Sequence, residues 1–188
     1  MLDNMTEIIF IGVVLFMALL LSSYSISRWK GNKQKVALGY VLLSLGISSL
    51  LLLIFGCTLE TIKGMIFALI LMVASYSDIK ERICNDYIHL MIAITAFIGV
   101  EFARLPEMVL SFVFVTILMV ISFRISNKKI GGADVKLCMA SSLVLGLTNC
   151  LSGMALGLSL AIICNARKKD GFPLIPYLAT GFMVAYFI

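Results

Sequence analysis

Long apolar runs separated by short polar clusters fill this chain almost from end to end. A helix needs roughly 20 apolar residues to cross the hydrocarbon core of a bilayer, and runs near that length recur along the sequence. The pattern predicts spans at Ile8–Ser27, Val36–Gly56, Ile62–Ser77, Tyr87–Ala103, Met108–Phe123, Asp134–Leu147, Leu151–Asn165 and Pro173–Ile188, about eight helices in all. Ile62–Ser77 and Pro173–Ile188 fall below the usual spanning length, so hairpins or re-entrant segments stay open there. The first run carries no charge and is followed, not preceded, by Arg28-Trp29-Lys30. A secretory signal has the opposite order, so this run reads as a retained helix.

Composition agrees with lipid as the solvent. Of 188 residues, 61% are hydrophobic and only 13% charged, with a mean hydropathy of +1.08. A soluble domain of this size has too small an interior to hide that much apolar surface. The expected fold is an all-α, polytopic membrane helix bundle. No linker, low-complexity stretch or repeat divides it, so residues 1–188 read as a single transmembrane domain.

Charge orients the bundle. With both termini outside, the inner loops hold Arg28, Lys30, Lys33, Lys35, Lys80, Arg82, Arg124, Lys128, Lys129, Arg167, Lys168 and Lys169, and Lys136 lies on the same side. Only Lys63 and Arg104 remain outside, a split of 13 to 2 among the 15 basic residues. The positive-inside rule predicts such a bias. The net charge of +5 therefore reports orientation and contact with anionic lipid, and no nucleic-acid partner is expected.

The five cysteines, Cys57, Cys84, Cys138, Cys150 and Cys164, form no C-x-x-C pair, and His89 is the one histidine. This spacing argues against zinc and against a disulfide framework, so no metal site is expected. Apolar packing is the default reading for the thiols, and a packed or interfacial one for His89.

The acids are more informative. Asp3, Glu7, Glu60, Glu101 and Glu107 fall at outer helix ends, where solvated carboxylates are expected, and Asp170 sits beside a basic run. Asp78 follows directly on the third span, and Asp134 opens the sixth after Gly131-Gly132-Ala133, both at the inner boundary. Opposite chain directions thus bring two carboxyl groups to one depth, where ionisable groups face a cavity or a partner. If the two helices touch, both acids do not readily ionise together and they titrate as a pair. Aspartic proteases use such a pair: one carboxylate takes a proton from water while the other donates to the carbonyl oxygen. Position alone leaves a plainer reading open, with Asp78 a solvated interfacial residue and Asp134 a helix-start residue.

The residues around both acids narrow the choice. Asp78-Ile79-Lys80-Glu81-Arg82-Ile83-Cys84-Asn85 resembles the segment of prepilin peptidases in which Asp ends a membrane helix and a basic stretch leads to Ile-Pro-Asn. Gly131-Gly132-Ala133-Asp134-Val135-Lys136-Leu137 resembles their second signature, Gly-x-Gly-Asp-Val-Lys-Leu. Pro173-Leu174-Ile175-Pro176-Tyr177-Leu178-Ala179-Thr180-Gly181 is similar to the proline-containing entry to their last helix. The three segments keep the order seen in the type IV prepilin peptidase family of GxGD-type intramembrane aspartic proteases, and together cover about two thirds of the chain. Ala133 stands where a second glycine is usual, with Gly132 left free to adopt positive φ, and Cys84 replaces proline. The zinc-binding cytoplasmic insert of many members is missing, since the loop after the first span is only about Arg28 to Lys35. The chain resembles the compact members that serve tight-adherence pili and the archaeal preflagellin peptidases.

What the resemblance implies is an endopeptidase of the cytoplasmic membrane whose partner is a pilin-like precursor, with a basic leader in the cytoplasm and an apolar helix in the bilayer. Asp78 and Asp134 would be catalytic. Gly131, Gly132, Asn85, Lys80 and Lys136 would form the supporting loops, the glycines giving Asp134 mobility and the lysines snorkelling toward headgroups. Proteolysis requires no cofactor. Bifunctional relatives also methylate with S-adenosylmethionine, for which this chain shows no glycine-rich nucleotide loop. Two other classes compete: a small proton- or ion-coupled transporter, which would place its acids nearer the midplane with repeat symmetry between halves, and a structural subunit of a pilus or secretion machine.

Overall fold

The computed structural model describes residues 33–125, 131–166 and 172–188. The expected first span Ile8–Ser27 lies outside the described residues, as do Asp3, Glu7, Arg28, Lys30, Lys128, Lys129 and 167–170. The described residues form six α-helices and no strand: α1 (Lys33–Phe55), α2 (Leu59–Glu81), α3 (Asp86–Thr95), α4 (Leu105–Ile125), α5 (Gly132–Asn165) and α6 (Ile175–Tyr186), with a 3-10 turn at Phe102–Arg104. Three stretches are long and apolar enough to cross a membrane: Leu59–Glu81, Phe102–Ile125 and Gly132–Asn165. The chain divides into two compact units between Leu69 and Ile70.

In the first unit α1 stops at Gly56, whose φ of 63° suits a residue without a Cβ and lets its N–H close on the Leu52 carbonyl at 3.0 Å. Thr58 then opens α2, its hydroxyl oxygen accepting the Thr61 N–H at 3.4 Å. This cap starts α2 three residues before the expected Ile62. At its other end α2 runs past Ser77 to Glu81, because polar side chains do not stop a helix once it leaves lipid. Arg82 stops it by turning to φ 53°, and its N–H closes on the Asp78 carbonyl at 3.0 Å.

The second unit is built on α5, which packs against α3, α4 and α6. The backbone of α5 breaks at Gly146, with φ 74° and ψ −179°. A straight helix would separate residues 138 and 150 by about 18 Å, yet the Cys150 Sγ lies 3.7 Å from the Cys138 carbonyl oxygen. The chain therefore folds back, and the expected sixth and seventh spans are the two antiparallel arms of this element, 132–145 and 147–165. The α6 helix seats on the second arm with almost no side chain between the backbones. A methyl added at Gly181 would strike the Gly153 carbonyl oxygen and come within 2.6 Å of the Gly157 nitrogen. Small residues at four-residue spacing permit such an approach between membrane helices.

Two elements are shorter than the sequence pattern predicts. The expected span Tyr87–Ala103 yields α3 of 10 residues, because the chain tightens into i→i−3 bonds at Phe97 and Ile98 and turns at Gly99, φ 68°. The expected Pro173–Ile188 yields α6 of 12 residues. By contrast α4 runs 21 residues and buries only a narrow stripe, Met108, Ser111, Val115 and Met119. Its Val109, Leu110, Phe114, Ile117 and Ile121 stay exposed, the all-round apolar character of a helix facing lipid. Cys84, Cys138 and Cys150 are buried free thiols, whereas Cys57 and Cys164 are exposed, so the packing reading fits three of the five.

The backbone at Gly146 lies in a region open essentially to glycine alone. Gly146→Ala is expected to destabilise the chain by roughly 1–3 kcal/mol, read as a lowered thermal unfolding midpoint in detergent. Gly46→Ala, in a helix with open space around its Cβ, is expected to be neutral or stabilising by up to about 1 kcal/mol.

Candidate active site

The last turn of α2 carries Asp78 into the second unit, where its side chain is buried. A buried carboxylate requires donors, and α6 supplies them. Leu174 and Ile175 open that helix, with Pro176 just inside it. The first N–H groups of a helix have no partner within it, and their positive end favours an anion. The Ile175 N–H donates to Asp78 Oδ2 at 3.0 Å, and the Leu174 N–H reaches the same carboxyl group. Arg82 is the cation whose charge bears on Asp78.

Asp134 occupies the first turn of α5 and is half-buried. Gly131 precedes the helix in extended conformation, φ −66° and ψ 136°, and its N–H is bonded by the Asp134 carboxyl group reaching back, as in a capping box. The two glycines differ in what they do. A Cβ at Gly131 would stand 2.7 Å from Asp134 Oδ2, whereas one at Gly132 would meet nothing within 4 Å. The expected positive φ at Gly132 is not found, because Gly132 is already the first helical residue. Closeness of approach, not handedness of backbone, is what the motif requires here, and it requires it at Gly131.

Cys84 marks where the acids converge. Its thiol is pushed up to about 11, first by burial and then by the charges of Asp78, Asp134 and Asp86. Asp78 and Asp134 are thus brought to one locality by the end of one helix and the start of another. Asn85 is the residue before α3, extended at φ −73° and ψ 143°, with its carbonyl accepting the Ile88 N–H at 3.1 Å.

Each of the two lysines has a carboxylate partner. Lys136 Nζ donates to Asp86 Oδ1 at 2.6 Å, tying α3 to the first arm of α5, and Lys136 holds the Asp86 carboxyl below the usual carboxylate range. Both side chains are exposed, so the pair adds little stability. Lys80 sits 3.7 Å from Glu81 and 5.8 Å from the centre of the Tyr76 ring. Sequence reasoning passed over Asp86, Arg82 and the Ile175 N–H. Asp86 follows Asn85 directly and was readable as a helix-start acid, but nothing in a sequence marks a backbone donor.

The sequence model of the type IV leader peptidase family matches residues 65–167, more than half of the chain. The chain belongs to that family. The matched segment holds both acids, Cys84, the Asp86–Lys136 pair and both arms of α5, while the α6 donors to Asp78 lie beyond it. No curated protein and no solved structure matches the chain.

Two outcomes are expected from this geometry. Gly131→Ala displaces the Asp134 carboxyl group and should lower peptide cleavage on the order of 10²-fold, while Gly132→Ala stays close to the parent in the same assay. Alkylation of Cys84, followed by peptide mass spectrometry, should be slow at neutral pH. It should quicken in the Asp78→Asn/Asp134→Asn double variant, since removing both acids removes the negative charge that opposes the thiolate; an unchanged rate there would mean that the acids do not share this locality.

Proposed function

We propose that this chain is a membrane aspartic endopeptidase that removes the basic leader from type IV pilin-like precursors at the cytoplasmic boundary of the cell membrane, with Asp78 and Asp134 as its catalytic pair. What supports the reading is that Asp78 and Asp134 lie near enough for the charge of one to bear on the other, inside the segment matched by a peptidase family. Two acids in one water-poor locality share a proton. One then accepts a proton from the attacking water while the other donates to the scissile carbonyl oxygen, and collapse of the tetrahedral intermediate passes the proton to the leaving amine. No cofactor enters these steps.

The topology consistent with this reading has about eight spans and both termini outside, and puts 13 of 15 basic residues on the side of the acids. The leader of the precursor would lie on that side and its apolar helix in the bilayer, leaving the bond between them at the depth of Asp78 and Asp134. Membrane lipid and precursor are the partners the reading requires.

Co-expression with candidate pilin precursors tests it. Leader loss is expected with the parent chain and is expected to fall roughly 10²–10⁴-fold in Asp78→Asn and in Asp134→Asn at equal membrane levels. Cleavage by the parent should also rise and fall with pH as a bell. Undiminished trimming by a chain lacking both carboxyl groups would end the proposal, and fusions placing residues 78 and 134 on opposite sides of the membrane would end it equally.

A further inference from the structure

The donors to Asp78 come from a helix beyond the matched family segment. Asp78 Oδ2 takes the Ile175 N–H at 3.0 Å, and the Ile175 side chain is fully buried, so the start of α6 is clamped on both sides of its backbone. The position of α6 is set farther along, where Gly181 lies against the Gly153 and Gly157 backbone. Phe182, also fully buried, lies beside this contact, its ring 2.8 Å from where a Gly153 Cβ would stand. Ile175 and Phe182 are separated by two helical turns, about 10 Å. The seat and the donor are therefore two points on one short rigid rod.

We propose that α6 is the positioning element of Asp78: its seat on Gly153 and Gly157 aims the Ile175 N–H at Oδ2 of that acid and so sets the rotation of the whole carboxyl group. The inference rests on the peptidase reading and deepens it. A carboxyl group with one oxygen bound to a fixed backbone donor has a set rotation, so the remaining oxygen points one way. The same bond favours the ionised form of that group. Ile175 touches no reacting atom and acts through Asp78. Its loss should change turnover and the acid side of the pH profile, which a purely structural contact would leave in place.

The test uses the full chain, purified in detergent, cleaving a pilin precursor. An ester in place of the Leu174–Ile175 amide, introduced with the α-hydroxy analogue of isoleucine, removes the donor and keeps the side chain. Ile175→Ala keeps the donor and removes the side chain. The ester is expected to lower kcat about tenfold or more with KM little changed, and to move the acid limb of the pH profile toward neutrality. Ile175→Ala is expected to lower the thermal midpoint while its acid limb stays where the parent has it. If the ester chain does not assemble, Gly181→Ala decides, since its methyl lifts α6 from its seat and should reproduce the lowered kcat and the moved limb. An ester chain or Gly181→Ala chain that assembles and cleaves with the parent kcat and pH profile overturns the inference while leaving the peptidase reading intact. Failure of the parent itself to cleave, or full cleavage by Asp78→Asn, overturns the peptidase reading instead.

Discussion

A carboxyl group cannot be buried at the end of an apolar helix without donors, and that constraint organises the second unit of this chain. Asp78 ends α2 with its side chain out of solvent, and the group that answers it is the Ile175 backbone. For that N–H to arrive, α6 must start at the right place, which requires the glycine contact with the second arm of α5. The second arm lies there because α5 reverses at Gly146. One electrostatic requirement thus runs back through three elements to a single glycine.

The first arm of α5 meets the same locality from another direction. Its N-terminal turn brings Asp134, held by the Gly131 N–H, and its Lys136 reaches Asp86 on α3. Each acid is therefore fixed by backbone amide groups close to a helix start, one from its own helix and one from α6. Among the side-chain cations Arg82 is the one that bears on Asp78, whereas Lys80 is engaged with Glu81 and Tyr76 and Lys136 with an exposed partner.

Much of this was legible in the sequence, and the limits have physical causes. The apolar runs located the helices because lipid demands continuous apolar surface, and Asp78 and Asp134 stood out because acids at such depths are costly. Element ends were less legible. The Ile62–Ser77 run gave too short a helix because hydropathy is silent about Thr58 and Arg82, which set the ends of α2 through hydrogen bonds. The Tyr87–Ala103 run gave too long a one because Gly99 turns the chain inside an apolar stretch. Gly131 and Gly132 looked interchangeable, yet only a built Cβ shows that one abuts Asp134 and the other abuts nothing. The Ile175 donor was beyond reach, since every residue but proline carries the same N–H.

The shortness of α3 and α6 has a consequence for the surrounding lipid. At 10 and 12 residues they rise about 15 and 18 Å, against a hydrocarbon core of roughly 30 Å. A bilayer accommodates a short hydrophobic element by compressing its acyl chains, and where it does so the headgroup layer dips. Most of α6 is buried against protein, so such a dimple would form beside α3, whose Leu90, Met91 and Ile94 are exposed, and would carry water toward the loop that joins it to Asp78. Hydrophobic mismatch would then serve hydrolysis, delivering the second reactant through lipid that long helices would have kept dry.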